Sequence, residues 1–208
     1  MIGIVDYNAG NLRSVEMAME FLKIPYSISK KPVDLKNADK IVFPGVGEAA
    51  FAMEQLKKTG FDAFLKDWVA AGKNLLGICL GSQVIFDFSE EGNTECLGLV
   101  PGTIKHFETL FKENNIDSTG YKIPHMGWND LVLEEIPLFK KVPVNSSFYF
   151  VHSYVISPKD WNVVKGYAEY GIKVPAVIQY GSITAFQFHP EKSAAAGLQL
   201  IKNFAEEN

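Results

Sequence analysis

The chain has 208 residues, enough for one well-buried domain and short of what two full cores usually need. Hydrophobic residues make up 47% and charged residues 21%, which excludes a disordered chain, and a formal charge of −4 gives no electrostatic pull towards nucleic acid or an anionic membrane. Two cysteines, Cys79 and Cys96, are too few for a disulfide framework or a zinc site; the apolar runs are strand-sized, and MIGIVDYNAG lacks the regions of a signal peptide, so a cytosolic (cytoplasmic) protein is expected.

Residues 2–6 (IGIVD) predict a short apolar strand, and after NAGN a helix pattern places Leu12, Val15, Met19 and Leu22 on one face. YSISK and KIVFPG predict the next strands, the second a continuous apolar run of the kind that a parallel sheet buries on both faces. Residues 48–58 and 61–71 read as helices, with Phe61, Phe64, Leu65 and Trp68 forming the stripe of the second. NLLGIC is another buried strand, followed by a predicted helix over GSQVIFDF. Strands alternating with helices to about residue 90 predict an α/β fold with a central, mostly parallel sheet and helices on both faces. From about residue 100 the texture changes: SSFYFVHSYVI, NVVKGYAEYG, PAVIQYGS and ITAFQFHP are β-rich with short turns and predict an antiparallel extension. AAAGLQLIKNFAEE closes the chain as a helix, polar KENNIDSTGYK (112–122) is expected to be the least ordered stretch, and no linker divides residues 1–208.

The pentapeptide Gly77-Ile78-Cys79-Leu80-Gly81 has the G-x-nucleophile-x-G form of a strand-to-helix elbow. Such a turn strains the backbone of the nucleophile, glycines on either side avoid clashes, and the thiolate gains from the helix start. Leu80 would offer its backbone N–H to an oxyanion. The same pentapeptide also fits a small buried cysteine at a strand end. A thiol nucleophile needs a base, and the base an orienting group. Of His106, His125, His152 and His189, only His189 lies in a stretch, AFQFHPEKS, that supplies both. Pro190 favours an extended His189, and in an extended segment residues 189 and 191 share a side, so Glu191 can hold the imidazole. The alternative is an ordinary His-Pro turn with a surface glutamate. In FPGVGEAA, a strand ending in Pro-Gly-Val-Gly leaves backbone N–H groups unshielded, and Val46 and Gly47 become candidates for the second oxyanion donor. No GxxxxGK[ST] or GxGxxG phosphate loop is present.

VDYNAGN, PGVG, GICLGSQ, PHMGWN, YFVHSY and FQFHPEKS occur in that order along nearly the whole chain. Together they resemble the class I, or triad, glutamine amidotransferases, and among these the glutaminase subunits of imidazole glycerol phosphate synthases. The resemblance implies a flavodoxin-like sheet in a single type 1 domain, with Cys79 as nucleophile at the carboxyl end of a central strand, His189 as general base and acid, and Glu191 as orienter. It further implies that Gln83 and the backbone around His152, Ser153 and Tyr154 hold the glutamine head group, and that Val46, Gly47 and Leu80 line the oxyanion site. Trp128, Asn129, Tyr149 and Lys192 would lie on or near the face of a partner, a separate (β/α)8-barrel cyclase joined as a heterodimer and fed with ammonia. No metal or organic cofactor is implied. A paralogue feeding another synthase, a non-catalytic interaction subunit, and a stress-protein or peptidase relative remain as rival readings.

Two positions depart from the pattern: Ser82 stands where the family usually has methionine, and acidic Glu48 follows PGVG. Cys96 has no histidine or second cysteine near it and reads as a packed thiol, and His106 has no expected catalytic role. His125 and Trp128 are placed in a loop, as an interface anchor or under a covering segment. Alternation in Phe148-Tyr149-Phe150 turns Tyr149 away from its neighbours.

Overall fold

The structure, a computed structural model, describes residues 1–8 and 12–207; Ala9, Gly10 and Asn11, which end VDYNAGN, and Asn208 lie outside the described residues. In chain order the first half runs β1 (Ile2–Val5), α1 (Leu12–Leu22), β2 (Tyr26–Ser29), α2 (Pro32–Leu35), β3 (Lys40–Gly45), α3 (Ala49–Thr59), α4 (Phe61–Ala70), β4 (Leu75–Cys79) and α5 (Leu80–Gln83). The second half runs β5 (Phe88–Ser89), β6 (Thr94–Glu95), β7 (Gly102–His106), α6 (Phe107–Glu113), β8 (His125–Asp130), β9 (Val132–Leu133), β10 (Ser147–His152), β11 (Tyr154–Pro158), β12 (Val164–Tyr170), β13 (Ile172–Tyr180), β14 (Ile183–Phe186) and α7 (Ala194–Glu206).

The main sheet has the order β2-β1-β3-β4-β14-β13-β12-β9. Its first five strands are parallel, in the flavodoxin-like doubly wound order, and β13, β12 and β9 extend it antiparallel. Every residue of β1, β3 and β4 is buried, as their continuous apolar runs require, whereas β2 at the edge is half-buried throughout. One face carries α3 and α4, through Ala52, Met53, Leu56, Phe61, Leu65 and Trp68 against Ile41, Phe43 and Leu75. The other carries α1 and α7, through Val15, Met19, Leu200, Ile201 and Phe204 against Ile2, Ile4, Val42, Leu76 and Ile78. Gly60 ends α3 in the left-handed conformation (φ 76°), so the expected helix pair is divided at one glycine.

Three expectations are corrected. The strand ITAF does not belong to the antiparallel extension: β14 pairs parallel with β4, inside the main sheet beside the elbow. The helix expected over GSQVIFDF is a single turn, because residues 97–100 claim the carbonyls that would propagate it: Leu97 N–H bonds to Val84, Gly98 N–H to Phe86, and Leu99 and Val100 N–H to Ile85. PHMGWN is no loop: His125–Asp130 is strand β8, antiparallel to β10. Within 112–122, Lys112 and Glu113 end α6 and Ser118–Gly120 form a 3-10 turn.

A four-stranded sheet, β11-β7-β5-β6, and the β10-β8 pair complete the fold. The chain passes from β10 to β11 at Ser153, beside the carboxyl ends of β3 and β4, and this crossing builds one wall of the site. Among the described residues no helix is long and apolar enough to cross a membrane.

Candidate active site

Cys79 ends β4 with φ 53° and ψ −112°, a left-handed conformation that L-residues avoid, and its residue is buried to 8% exposure. The flanking glycines are required by close approach: a Cβ on Gly77 would lie 2.9 Å from the Gly81 carbonyl oxygen, and one on Gly81 would fall on the Phe43 carbonyl oxygen of β3. Ser82, at the departure from the family pattern, is fully buried and its Oγ donates to the Cys79 carbonyl at 2.6 Å, holding the strained peptide. With only one turn in α5, the macrodipole available to the thiol is small, and the local N–H groups matter more.

His189 Nδ1 donates to Glu191 Oε1 at 2.7 Å, with the two side chains 3% and 2% exposed. Burial alone would lower the imidazole pKa, but hydrogen bonds to Cys79 and Glu191 and their negative charges override it and raise the value from 6.5 to about 10. The protonated imidazole is therefore favoured, beside the Cys79 sulfur and the Glu191 carboxylate. Such a group can donate a proton to a leaving amine and take one back from water. The route by which Glu191 reaches the ring differs from strand alternation. His189 is extended (φ −94°, ψ 97°), as Pro190 favours, but Pro190–Lys192 then form a 3-10 turn closed by Lys192 N–H to the His189 carbonyl at 3.0 Å, and this turn returns the carboxylate. Tyr149 O accepts from His189 N–H at 2.9 Å, and Ser193 Oγ donates to His189 O at 2.6 Å, so His189 is fixed at its backbone as well.

Cys79 and His189 open into a cavity of about 340 Å³ lined also by Val46, Gly47, Leu80, Gln83, His152, Ser153 and Tyr154. All three expected oxyanion residues and all four expected head-group residues are thus brought together around the thiol. Gly47 has φ 98°, and Val46 is 37% exposed at the mouth. Gln83 Nε2 donates to Tyr154 O and to Gln187 Oε1, both at 2.9 Å. Glu48 does not line the cavity; its Oε1 is turned towards Gly92.

The sequence model described as glutamine amidotransferase class-I matches residues 4–208. The chain belongs to the class-I glutamine amidotransferase family. Three relatives are each called imidazole glycerol phosphate synthase subunit HisH. The protein of Halalkalibacterium halodurans is 44% identical over 98% of this chain and 94% of its own length. That of a Geobacillus species is 45% identical over 99% and 96%, and that of Bacillus subtilis 42% identical over 99% and 96%. Among solved structures, a glutamine amidotransferase superposes with a TM-score of 0.74 at 19% identity, covering 99% of this chain and 97% of that one. Another glutamine amidotransferase, from Thermotoga maritima, reaches 0.61 at 14%, covering 99% and 82%. At such identities these two establish the amidotransferase fold alone.

The four residues expected near a partner face separate into two sets. Trp128 (56% exposed) packs edge-on to Tyr149 at 6.1 Å between ring centroids, and Lys192 Nζ lies 6.0 Å from the centre of the Tyr149 ring. Met126 (62% exposed) alternates onto the Trp128 side of β8. Asn129 is on the opposite side of β8, half-buried, donating to the Glu169 carbonyl at 3.1 Å. Two residues that motif reading did not single out lie in or beside the site. Glu91 lines the cavity and accepts the Ala49 N–H at the start of α3 (2.8 Å), and burial raises its pKa. Tyr7 is fully buried, its hydroxyl beside Gly45 without a hydrogen-bond partner among the described residues, and burial and then the Cys79 charge raise its pKa. Cys96 is a packed thiol whose pKa burial pushes up to about 12, and His106 caps α6 by accepting the Glu108 N–H (3.3 Å).

Proposed function

We propose that this chain hydrolyses glutamine to glutamate and ammonia through Cys79, His189 and Glu191, as the glutaminase subunit of an imidazole glycerol phosphate synthase. The observation that carries the reading is the His189 ring, tied to Glu191 Oε1 at 2.7 Å and lining one cavity with the Cys79 thiol. The Cys79 thiolate, paired with the His189 imidazolium, attacks the carboxamide carbon, and the oxyanion forms towards the Leu80 N–H and the Val46–Gly47 peptide. His189 gives its proton to the departing nitrogen, leaving a glutamyl thioester and ammonia. The neutral imidazole then takes a proton from water, whose oxygen displaces the sulfur and releases glutamate. Glu191 keeps the ring oriented and balances its charge throughout. Gln83 and the 152–154 backbone hold the amino-acid end of the substrate.

The HisH names of relatives matching nearly the whole chain support the second half of the reading. Ammonia passes to a (β/α)8-barrel cyclase, the partner in a cytoplasmic heterodimer, for formation of imidazole glycerol phosphate and AICAR in histidine biosynthesis. Residues 1–208 act as one amidotransferase domain without a cofactor, and Trp128, Tyr149 and Lys192 lie on the docking face. The Val46 peptide, between two glycines, rotates at low steric cost, so docking of the cyclase biases the oxyanion donor towards its active setting. The test is steady-state glutaminase activity of the isolated chain, of its mixture with cyclase, and of that mixture plus a nucleotide-like ligand. Activity rising across the three supports coupling; no activity in any of them overturns the reading.

A further inference from the structure

Behind the 152–154 wall a line of hydrogen bonds runs from β12 to α5 through side chains that the triad chemistry does not use. Asn129 Nδ2 lies 3.1 Å from the Glu169 carbonyl and 3.3 Å from His125 Nε2. His125 Nδ1 lies 3.1 Å from His152 Nε2, and His152 Nδ1 lies 2.7 Å from the Tyr154 carbonyl. That carbonyl also accepts from Gln83 Nε2, whose other hydrogen goes to Gln187 Oε1.

The direction of each bond is fixed by chemistry. An amide nitrogen only donates, so Asn129 makes His125 Nε2 an acceptor; a carbonyl only accepts, so Tyr154 makes His152 Nδ1 a donor. Each neutral ring then has one role left, and the His125 Nδ1–H donates to His152 Nε2. Burial supports the neutral forms, lowering the pKa of His125 to about 4 and, with the help of the neighbouring histidines, that of His152 to about 3. The His125 ring is also clamped. Phe150 stacks on it at 4.7 Å and 25°, and Tyr170 at 4.2 Å and 29°. Its nitrogens can therefore aim only at His152 and Asn129. The imidazole is 3% exposed as a residue, so water cannot replace a lost partner.

We infer that His125 and Asn129 are positioning residues for the substrate pocket: they lock the His152 ring, which with Gln83 holds the Tyr154 carbonyl back and so sets the 152–154 edge against which the ligand's amino-acid end is seated. The Ser153 carbonyl is tied back too, accepting the Phe107 N–H at 3.1 Å, so both carbonyls of the crossing are committed within the protein. The inference rests on the reading of this cavity as a glutamine site. It separates His125 from the exposed residues of the same strand, and it assigns the first residue of the HMGWN strand a task at the pocket instead of at the docking face.

The experiment measures inactivation of the full chain by the diazoketone analogue of glutamine, which needs the pocket, and by iodoacetamide, which needs only the thiol. In His125→Phe the concentration of diazoketone giving half-maximal inactivation should rise about tenfold, the worth of one well-made hydrogen bond, while the limiting rate and the iodoacetamide rate stay within about twofold of the wild type. His125→Asn, which places an amide N–H where Nδ1 stands, should restore binding to within about threefold. Unchanged half-saturation in His125→Phe, a parallel loss of iodoacetamide reactivity, or an Asn variant as weak as the Phe variant would overturn the inference. If free glutamine fails to protect the wild-type chain from the diazoketone, it is the glutamine-site reading itself that fails.

Discussion

Replacing Glu191 by Gln removes one negative charge and almost nothing else. The amide oxygen can take the place of Oε1, 2.7 Å from His189 Nδ1, and the NH2 group the place of Oε2, a buried atom with no hydrogen-bond partner among the described residues. Both side chains are nearly sealed from solvent, at 3% and 2% exposure, so water cannot substitute for the missing charge. A hydrogen bond to a charged group is worth about 1.5–3 kcal/mol, which is about 10- to 150-fold in rate and one to two pH units in the titration of the ring. The imidazolium, held up to about 10 in the intact triad, should therefore lose its proton at correspondingly lower pH. The assay is kcat/KM for glutamine hydrolysis from below pH 6.5 to above pH 10 in the complex with its cyclase. The expected result is a loss within that range near neutrality together with a basic limb displaced downwards. His189→Ala should cost more, about 100- to 10,000-fold, because the proton carrier itself is gone. A Gln variant with wild-type rate and an unmoved basic limb would refute the role given to Glu191.

Cys79→Ala should abolish glutamine-dependent turnover while the complex still works from free ammonia; loss of the ammonia-driven reaction as well would make Cys79 structural. Stability should peak near pH 6.5, as read from urea midpoints. His189, raised to about 10, contributes stability that is complete below 6.5 and lost progressively as pH rises from there through about 10, and Cys79→Ala should flatten this limb. His125 and His152, lowered to about 4 and about 3, contribute stability that is present above 6.5 and lost as pH falls through those values, an acid limb that His125→Phe should reduce. Trp128→Ala should weaken cyclase binding by about 30-fold or more, as an exposed aromatic anchor does, with little change in folding; an unchanged dissociation constant by titration would remove Trp128 from the interface.

The parts of the fold and site legible in the sequence were those whose signal is local. Apolar runs marked β1, β3 and β4, the glycines at 77 and 81 marked the elbow, and His-Pro-Glu marked the pairing of His189 with Glu191. Even there the local logic had a limit, since Glu191 reaches the ring through a 3-10 turn that alternation does not foresee. The failures share one cause, a partner far away in the chain. The helix pattern after Gly81 gives no sign that residues 97–100 will claim its carbonyls. Asn129 reads as a surface residue until β12 is placed behind it and Glu169 accepts its amide. Gln187, 104 residues from Gln83, shows its task only in three dimensions, and so do Glu91 and Tyr7. Ser82 marked itself as a departure, yet its hydrogen bond to the Cys79 carbonyl explains it only once the elbow is seen.

Trapping the covalent intermediate tests the central claim most directly. The complex is mixed with isotopically labelled glutamine, quenched in acid during turnover, and digested for mass spectrometry. The mechanism predicts a glutamyl thioester on the peptide that contains Cys79, absent from Cys79→Ala and formed at least as fast as ammonia is released in the steady state. Steady ammonia release with no label on Cys79, or label on Cys96 in its place, would contradict it.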